Sequence, residues 1–127
     1  MRINLSHSEM FLRDDGVIQV NVTDHNYSKN DLMELNAAQG RICNGKRLPL
    51  LVITSIYANI DSDAREFMAS IESTQYSSAE AYVIIGLGQK ILANFYLKVN
   101  KPDVPTRFFT DLKLAEEWLQ TYLPSDL

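Results

Sequence analysis

The chain has 127 residues, of which 46% are hydrophobic, enough apolar material for the core of one domain. Its formal net charge of -4 and pI of about 5.1 argue against nucleic-acid binding, because a phosphate backbone selects basic surfaces. We expect residues 1–127 to form a single domain.

Membrane insertion and secretion are not indicated. The first residues contain no apolar core of signal-peptide length, and no apolar run approaches a membrane span, so the expected location is the cytoplasm. One cysteine, Cys43, excludes an intrachain disulfide. The histidines, His7 and His25, have no second histidine, cysteine or carboxylate at helical or hairpin ligand spacing, so no metal and no cofactor are expected.

A β-hairpin followed by a helix is predicted for the first part of the chain. Two runs of strand formers, residues 9–13 and 17–22, flank Asp14-Asp15-Gly16, which is a hairpin signal. Residues 28–31 match a capping box, and Asn44-Gly45 is a left-handed helix stop. Gly40 inside this helix weakens it by about 1 kcal/mol.

The central feature is a buried strand that leads into a capped helix. Residues 50–53 form a continuous run of branched apolar residues, typical of a strand buried on both faces. Asp61-Ser62-Asp63 then supplies oxygens that accept hydrogen bonds from the first N–H groups of a helix. A small α/β domain usually exposes its working surface at such a junction.

The second half of the chain alternates strands and helices. Residues 81–85 and 106–109 are predicted strands, residues 89–99 a helix, and residues 71–78 a frayed helix end or a loop. A last helix follows Thr110 or Asp111. We therefore predict an α/β fold: a mixed sheet of about five strands with about four helices and an antiparallel N-terminal hairpin.

The predicted helix 89–99 is apolar over much of its circumference. Ile91, Phe95 and Val99 form one stripe, and further apolar residues widen it. Such a surface is buried within the monomer, forms a homodimer face, or borders a groove for a small apolar ligand, and the sequence leaves these alternatives open. The residues expected in the interface or ligand groove are Leu92, Tyr96 and Leu97.

The order of elements is similar to the STAS fold of bacterial anti-sigma-factor antagonists. In that family an Asp-Ser-Ser-Gly-type motif opens the helix after a strand, and a partner kinase phosphorylates the second serine. The matching stretch here is Asp61-Ser62-Asp63-Ala64, so Asp63 stands at the position of the phosphorylated serine. The resemblance implies a STAS-type module without the phosphorylatable serine at the usual position.

A closer resemblance is to small bacterial STAS-like proteins, which are grouped by fold with the antagonists and with lipid-binding Sec14-type domains. It covers most of the chain and implies a fold more firmly than an activity. Ala64-Arg65-Glu66 opens the same helix in these proteins. The later matching block comprises Asn94-Phe95-Tyr96-Leu97, Asn100-Lys101-Pro102, Pro105-Thr106-Arg107, Phe109-Thr110-Asp111, Ala115 and Trp118-Leu119.

These observations predict a non-catalytic regulatory or protein-interaction module. No nucleophile–base set is visible in the sequence, so no catalytic residue is expected. The alternative is a carrier or sensor of a small apolar or lipid ligand. The expected surface for a protein partner consists of Asp61, Ser62, Asp63 and Arg65.

Overall fold

A mixed sheet lies at the centre of the computed structural model, which describes residues 1–124. Within these residues the sheet has six strands in the order β1-β2-β3-β5-β7-β8. The first three strands are antiparallel neighbours, and β3, β5, β7 and β8 run parallel to one another. The strands are β1 (Arg2–Asn4), β2 (Ser8–Leu12), β3 (Ile18–Val22), β5 (Leu48–Ile53), β7 (Ser77–Val83) and β8 (Thr106–Phe109).

Helices and one small sheet connect these strands. A two-stranded parallel sheet pairs β4 (Asn26–Tyr27) with β6 (Asn59–Ile60). Helix α4 (Gly86–Phe95) continues into a π-helical turn, Tyr96–Asn100. The α-helices within residues 1–124 are α1 (Lys29–Cys43), α2 (Ser62–Met68), α3 (Ile71–Thr74), α4 (Gly86–Phe95) and α5 (Leu112–Gln120). None of them is long and apolar enough to cross a bilayer.

The predicted central strand is confirmed as a strand buried on both faces. Leu50 and Val52 belong to the core cluster shared with α1 and α4, whereas Leu51 belongs to the cluster beneath α5. Alternate side chains of β5 therefore pack into the hydrophobic clusters on opposite faces of the sheet. The strand predicted at 81–85 lies beside β5 in parallel, since Leu51 pairs with Ala81.

The caps predicted from the sequence are present. Ser28 and Asp31 form the reciprocal capping box of α1, and Asn44 ends that helix in the left-handed region with φ of 49°. Asp61 is the N-cap of α2, where its side chain accepts a 2.8 Å hydrogen bond from the Ala64 N–H. Asp111, rather than Thr110, caps α5.

The boundaries of some elements differ from the prediction. The segment 71–78, expected as a frayed end or a loop, contains the one-turn helix α3 and the start of β7, because Ser70 supplies a new N-cap. Strand β7 ends at Val83 rather than residue 85, and α4 begins at Gly86, whose φ of +81° makes the turn. The N-terminal hairpin gains β1 as a third antiparallel strand.

Candidate functional site

A cavity that is partly open to solvent lies between the sheet and the helices α1, α2 and α4. Its volume is about 170 Å³. Apolar side chains from both layers form most of its wall, including Val20, Val52 and Ile84 from the sheet and Leu35 and Leu92 from the helices. Small residues such as Ala93 leave the space that larger side chains would fill.

A buried carboxyl group lines this cavity. Glu80 on β7 is 2% exposed and points to the cavity side of the sheet. Its oxygens accept hydrogen bonds from the Ser77 hydroxyl at 2.7 Å and the Tyr82 hydroxyl at 2.8 Å. The Gln39 amide donates to Ser77 Oγ at 2.8 Å, so Gln39, Ser77, Glu80 and Tyr82 are joined by successive hydrogen bonds. Among the described residues, no cationic side chain pairs with this carboxyl.

Burial changes the acid–base properties of this group of residues. Loss of solvation raises the pKa of Glu80, although the hydrogen bonds from Ser77 and Tyr82 oppose this change. Burial, reinforced by the neighbouring Glu80 charge, also raises the pKa values of Tyr82 and Tyr96. Both phenols are therefore protonated at neutral pH and available as hydrogen-bond donors.

Tyr96 presents an unused donor at this cavity. Its side chain is 1% exposed, and its hydroxyl has no hydrogen-bond partner among the described residues. The ring packs edge-on against Phe108, on which Tyr82 stacks with centroids 5.0 Å apart. Tyr96 begins the π-helical turn, a distortion that frequently marks functional sites in α-helices.

Two further unpaired polar atoms belong to residues of the cavity wall. They are Asn36 Oδ1 on α1 and Arg65 Nε on α2. Arg65 donates from Nη1 to the Ile60 carbonyl at 3.0 Å, and its guanidinium lies 5.6 Å from the centre of the Phe95 ring. The cavity thus combines an apolar wall with a few buried polar atoms, the composition of small-molecule sites.

The residues expected at a partner surface occupy the exposed start of α2. Asp61, Ser62 and Asp63 are all exposed, and Arg65 is half-buried at the cavity wall. Asp61 is used as the helix cap. The structure therefore places Arg65 between this surface and the cavity.

The residues expected in an interface or groove are divided between two environments. Leu92 and Tyr96 line the cavity, whereas Leu97 is exposed on the outer side of α4. The predicted stripe lies on that outer side, where Ile91 is 62% and Val99 59% exposed. Helix α4 therefore presents apolar residues both to the interior and to solvent.

A second polar cluster lies where the loop before β2 meets α1. His7, Asp31 and Glu34 bring one possible ligand atom each within 4.8 Å of one another. His25 lies beside them and pairs with Asp31 at 2.9 Å. The hydrogen bond from the Ser28 backbone N–H is the main reason that the pKa of Asp31 is lowered, and His25 adds to the effect.

Comparison with known proteins places the chain in a family. The family model described as Domain of unknown function (DUF7793) matches residues 10–123. The chain belongs to the DUF7793 family. Among curated proteins none matches it.

A solved structure is similar to this DUF7793 protein over nearly its whole length. It is the crystal structure of an uncharacterized protein of the DUF3478 family with a SpoIIAA-like fold from Shewanella loihica PV-4. The two chains share 15% identity with a TM-score of 0.64, and the match covers 94% of this chain and 98% of the other. This likeness confirms the predicted STAS-like fold.

Sequence reasoning named Tyr96 and Arg65 but missed Glu80 in the cavity and the residues of the second cluster. Glu80 falls just before the run that predicted a strand at 81–85, although a glutamate two positions before Tyr82 shares its face in a strand. Asp31 and Glu34 are a visible i, i+3 pair on α1, but His7 is far from them in the sequence. Only the pairing of β2 with β3 and the packing of α1 bring it there.

Proposed function

We propose that this protein is a STAS-type binding module whose cavity takes up a small, mainly apolar ligand and so acts as its carrier or sensor. The observation that carries the proposal is the 170 Å³ cavity, with its apolar wall and the unpaired Tyr96 hydroxyl beside buried Glu80. Filling such a cavity with an apolar ligand gains free energy, because it removes the apolar surfaces of wall and ligand from water.

The volume suits a small ligand, or the small part of a larger ligand that enters the cavity. An engineered apolar cavity of about 150 Å³ binds benzene, so this cavity suits roughly six to ten non-hydrogen atoms. A two-chain lipid is far larger than this space. A short alkyl chain or a single substituted ring fits.

The polar atoms predict that the ligand carries one hydrogen-bonding group. Tyr96 can donate to an oxygen of the ligand, and Glu80 can accept from a ligand hydroxyl or amine through an oxygen lone pair that its present partners leave free. A small alcohol or phenol can satisfy both residues, because its hydroxyl group both donates and accepts. An alkane of the same size leaves the Tyr96 hydroxyl unpaired.

The test uses hexan-1-ol as the probe and thermal unfolding as the readout. We expect the alcohol to raise the melting temperature of the wild type, with a stabilisation of roughly 2.7 kcal/mol at about 100 times its Kd. Ala93→Leu adds carbon atoms to the cavity wall and should abolish the effect. Ala37→Leu, on the exposed face of α1, is the matched control and should keep it.

Two results contradict the ligand proposal. One is the absence of any change in melting temperature with hexan-1-ol in the wild type. The other is an equal increase in Ala93→Leu and Ala37→Leu, which places the alcohol outside the cavity.

A regulatory protein-interaction role is the second candidate. It is favoured by the exposed residues Asp61, Ser62 and Asp63, which adjoin the exposed stripe of α4 through the contact of Arg65 with Phe95. Asp63 offers no hydroxyl to a kinase, so such a surface would act constitutively or respond to the cavity's occupant. Native mass spectrometry of protein purified from its own cell separates the candidates: a small-molecule adduct supports the carrier, and a stoichiometric protein or second copy supports the module.

A further inference from the structure

His7, Asp31 and Glu34 are not among the residues that line the cavity, and their cluster has a different chemistry. His7 Nε2 is 3.7 Å from Asp31 Oδ1 and 3.8 Å from Glu34 Oε1. We propose that these three residues bind a divalent transition-metal cation of the zinc type. Each supplies one ligand atom of a kind that zinc accepts in proteins: an imidazole nitrogen and two carboxylate oxygens.

The hydrogen bonds around the His7 ring determine which nitrogen is available. The Tyr27 hydroxyl donates its proton to the His7 carbonyl at 2.6 Å, so it can only accept from Ser8, whose Oγ is 2.9 Å away. Ser8 therefore donates to Tyr27 and accepts from His7 Nδ1 at 2.9 Å. The proton lies on Nδ1, which leaves Nε2 as the ligand atom. Metal-binding histidines are oriented in this way.

The Nε2 atom of His7 faces two carboxylates from inside the protein. The side chain is 1% exposed, and Nε2 has no hydrogen-bond partner within residues 1–124. It faces two carboxylate oxygens, which are acceptors only. An imidazole nitrogen and two carboxylates around one volume require positive charge there, which a proton on Nε2 or a metal cation supplies. Two carboxylates and one neutral imidazole carry two negative charges, which a divalent cation balances.

The two carboxylates differ in how firmly they are held. Asp31 Oδ2 accepts the Ser28 N–H and the His25 Nε2–H, both at 2.9 Å, so Oδ1 is left to face His7. The cap of α1 and His25 therefore fix this ligand in place, as outer partners do at metal sites. Glu34 lies one helical turn along, and its side chain is 54% exposed. It can swing towards a metal by changing rotamer.

The separations from His7 Nε2 suit a small ion after a modest closure, and the two carboxylate oxygens lie within 4.8 Å of each other. Zinc bonds of about 2.0–2.2 Å place tetrahedral ligand atoms roughly 3.3–3.5 Å apart, a few tenths of an ångström less than the separations from His7 Nε2. The imidazole favours zinc, copper, nickel or iron over magnesium and calcium, which prefer oxygen ligands. Three protein ligands leave a fourth position for water on the side where Glu34 is exposed.

The same residues do not form a hydrolytic triad. Ser8 is 5% exposed, and its hydroxyl proton is donated to Tyr27 rather than to a histidine base. A nucleophilic serine must reach a substrate and pass its proton to the imidazole. Ser8 satisfies neither requirement, so metal binding explains the cluster better than acyl transfer.

The test is titration of metal-stripped protein with Zn²⁺ against a chromophoric chelator, with Mg²⁺ and Ca²⁺ as comparison ions. We expect one Zn²⁺ per chain and no competing effect of Mg²⁺ or Ca²⁺. Glu34→Gln should weaken Zn²⁺ binding at least about tenfold. Glu117→Gln, the same change on an exposed face of α5, should bind like the wild type. In NMR spectra, Zn²⁺ should move the Nε2 resonance of His7 while the Tyr27 hydrogen bond persists.

Several outcomes overturn the proposal. It fails if the wild type binds no Zn²⁺ at micromolar concentrations, or if Glu34→Gln and Glu117→Gln bind alike. It also fails if the NMR changes fall on His25 Nε2 and spare His7, because the ion is then adventitious. Thermal melts of both variants without metal establish that each is folded. The hexan-1-ol test does not involve these residues, so either proposal can fail alone.

Discussion

Two tyrosines beside Glu80 have the same chemistry and opposite hydrogen bonding. Tyr82 donates to the carboxyl at 2.8 Å, whereas the Tyr96 hydroxyl has no described partner. Removing a hydrogen-bonded donor leaves its acceptor buried without a partner, which is costly. Removing an unpaired donor eliminates a buried polar group that had no partner. We expect Tyr82→Phe to lower the free energy of unfolding by about 1–3 kcal/mol, and Tyr96→Phe to leave it unchanged or raise it.

Urea unfolding at pH 7 of the two variants measures this difference. Each variant is the control for the other, because both replace a buried phenol by a phenyl ring. Equal losses of stability would mean that Tyr96 is hydrogen-bonded in solution, and would remove the donor that the proposed ligand requires.

At this scale the sequence predicts residues whose partners are local and misses those whose partners are distant. The Asp61 cap and the Ser28–Asp31 box lie within three residues of their partners, so the pattern alone is sufficient. Glu80 becomes buried only because β7 lies between β5 and β8. The residues next to Glu80 in the sequence do not predict this burial.

At the scale of the helices, Gly40 in α1 and Gly88 in α4 differ in the space available for a side chain. A Cβ on Gly40 would lie 2.8 Å from the ring of Tyr76, whereas a Cβ on Gly88 would meet nothing within 4 Å. Alanine gains about 1 kcal/mol of helix propensity in a helix interior, where Gly40 lies, and at most that in the first turn, where Gly88 lies. At Gly40 the overpacking, typically 1–3 kcal/mol, outweighs that gain.

We therefore expect Gly40→Ala to destabilise the protein by about 1 kcal/mol and Gly88→Ala to stabilise it by up to about 1 kcal/mol. Chemical denaturation of the two variants is the measurement. If Gly40→Ala is as stabilising as Gly88→Ala, the Tyr76 ring moves aside at no cost and Gly40 is only a weak point of the helix.

The order of the long helices and strands was largely predictable, because the spacing of apolar residues within each one identifies its type. The parallel pair of β5 and β7 and the hairpin of β2 and β3 follow from apolar runs and turn residues. The short elements β4, β6 and α3 do not, since two to four residues contain too little pattern to identify. They form through contacts with other segments: β4 and β6 pair with each other, and the Ser70 side chain caps α3.

For the molecule as a whole, the buried Glu80 should make stability depend on pH. Burial raises its pKa above the ordinary value of 4.5 in the folded state, so the folded protein binds this proton more tightly than the unfolded chain. The stabilising contribution is complete below about pH 4.5 and is lost as the pH rises through the folded pKa. A tenfold difference in proton affinity between the folded and unfolded chains corresponds to about 1.4 kcal/mol of stability.

Glu80→Gln should remove this pH dependence. We expect the variant to gain stability relative to the wild type between pH 4 and pH 8, because glutamine never carries the buried charge. Free energies of unfolding measured across that range test it, with Glu72→Gln on the exposed surface of α3 as the control. A constant difference between Glu80→Gln and wild type would mean that Glu80 titrates normally.

The lengths of the outer strands have a consequence for how another protein could bind. The sheet ends in β1 with three residues and β8 with four, and Pro105 directly precedes β8. Recognition by β-augmentation needs a long run of unpaired backbone groups at a sheet margin. Neither margin offers one, and short margins also protect against edge-to-edge aggregation. A protein partner would therefore dock through side chains on the helices rather than extend the sheet.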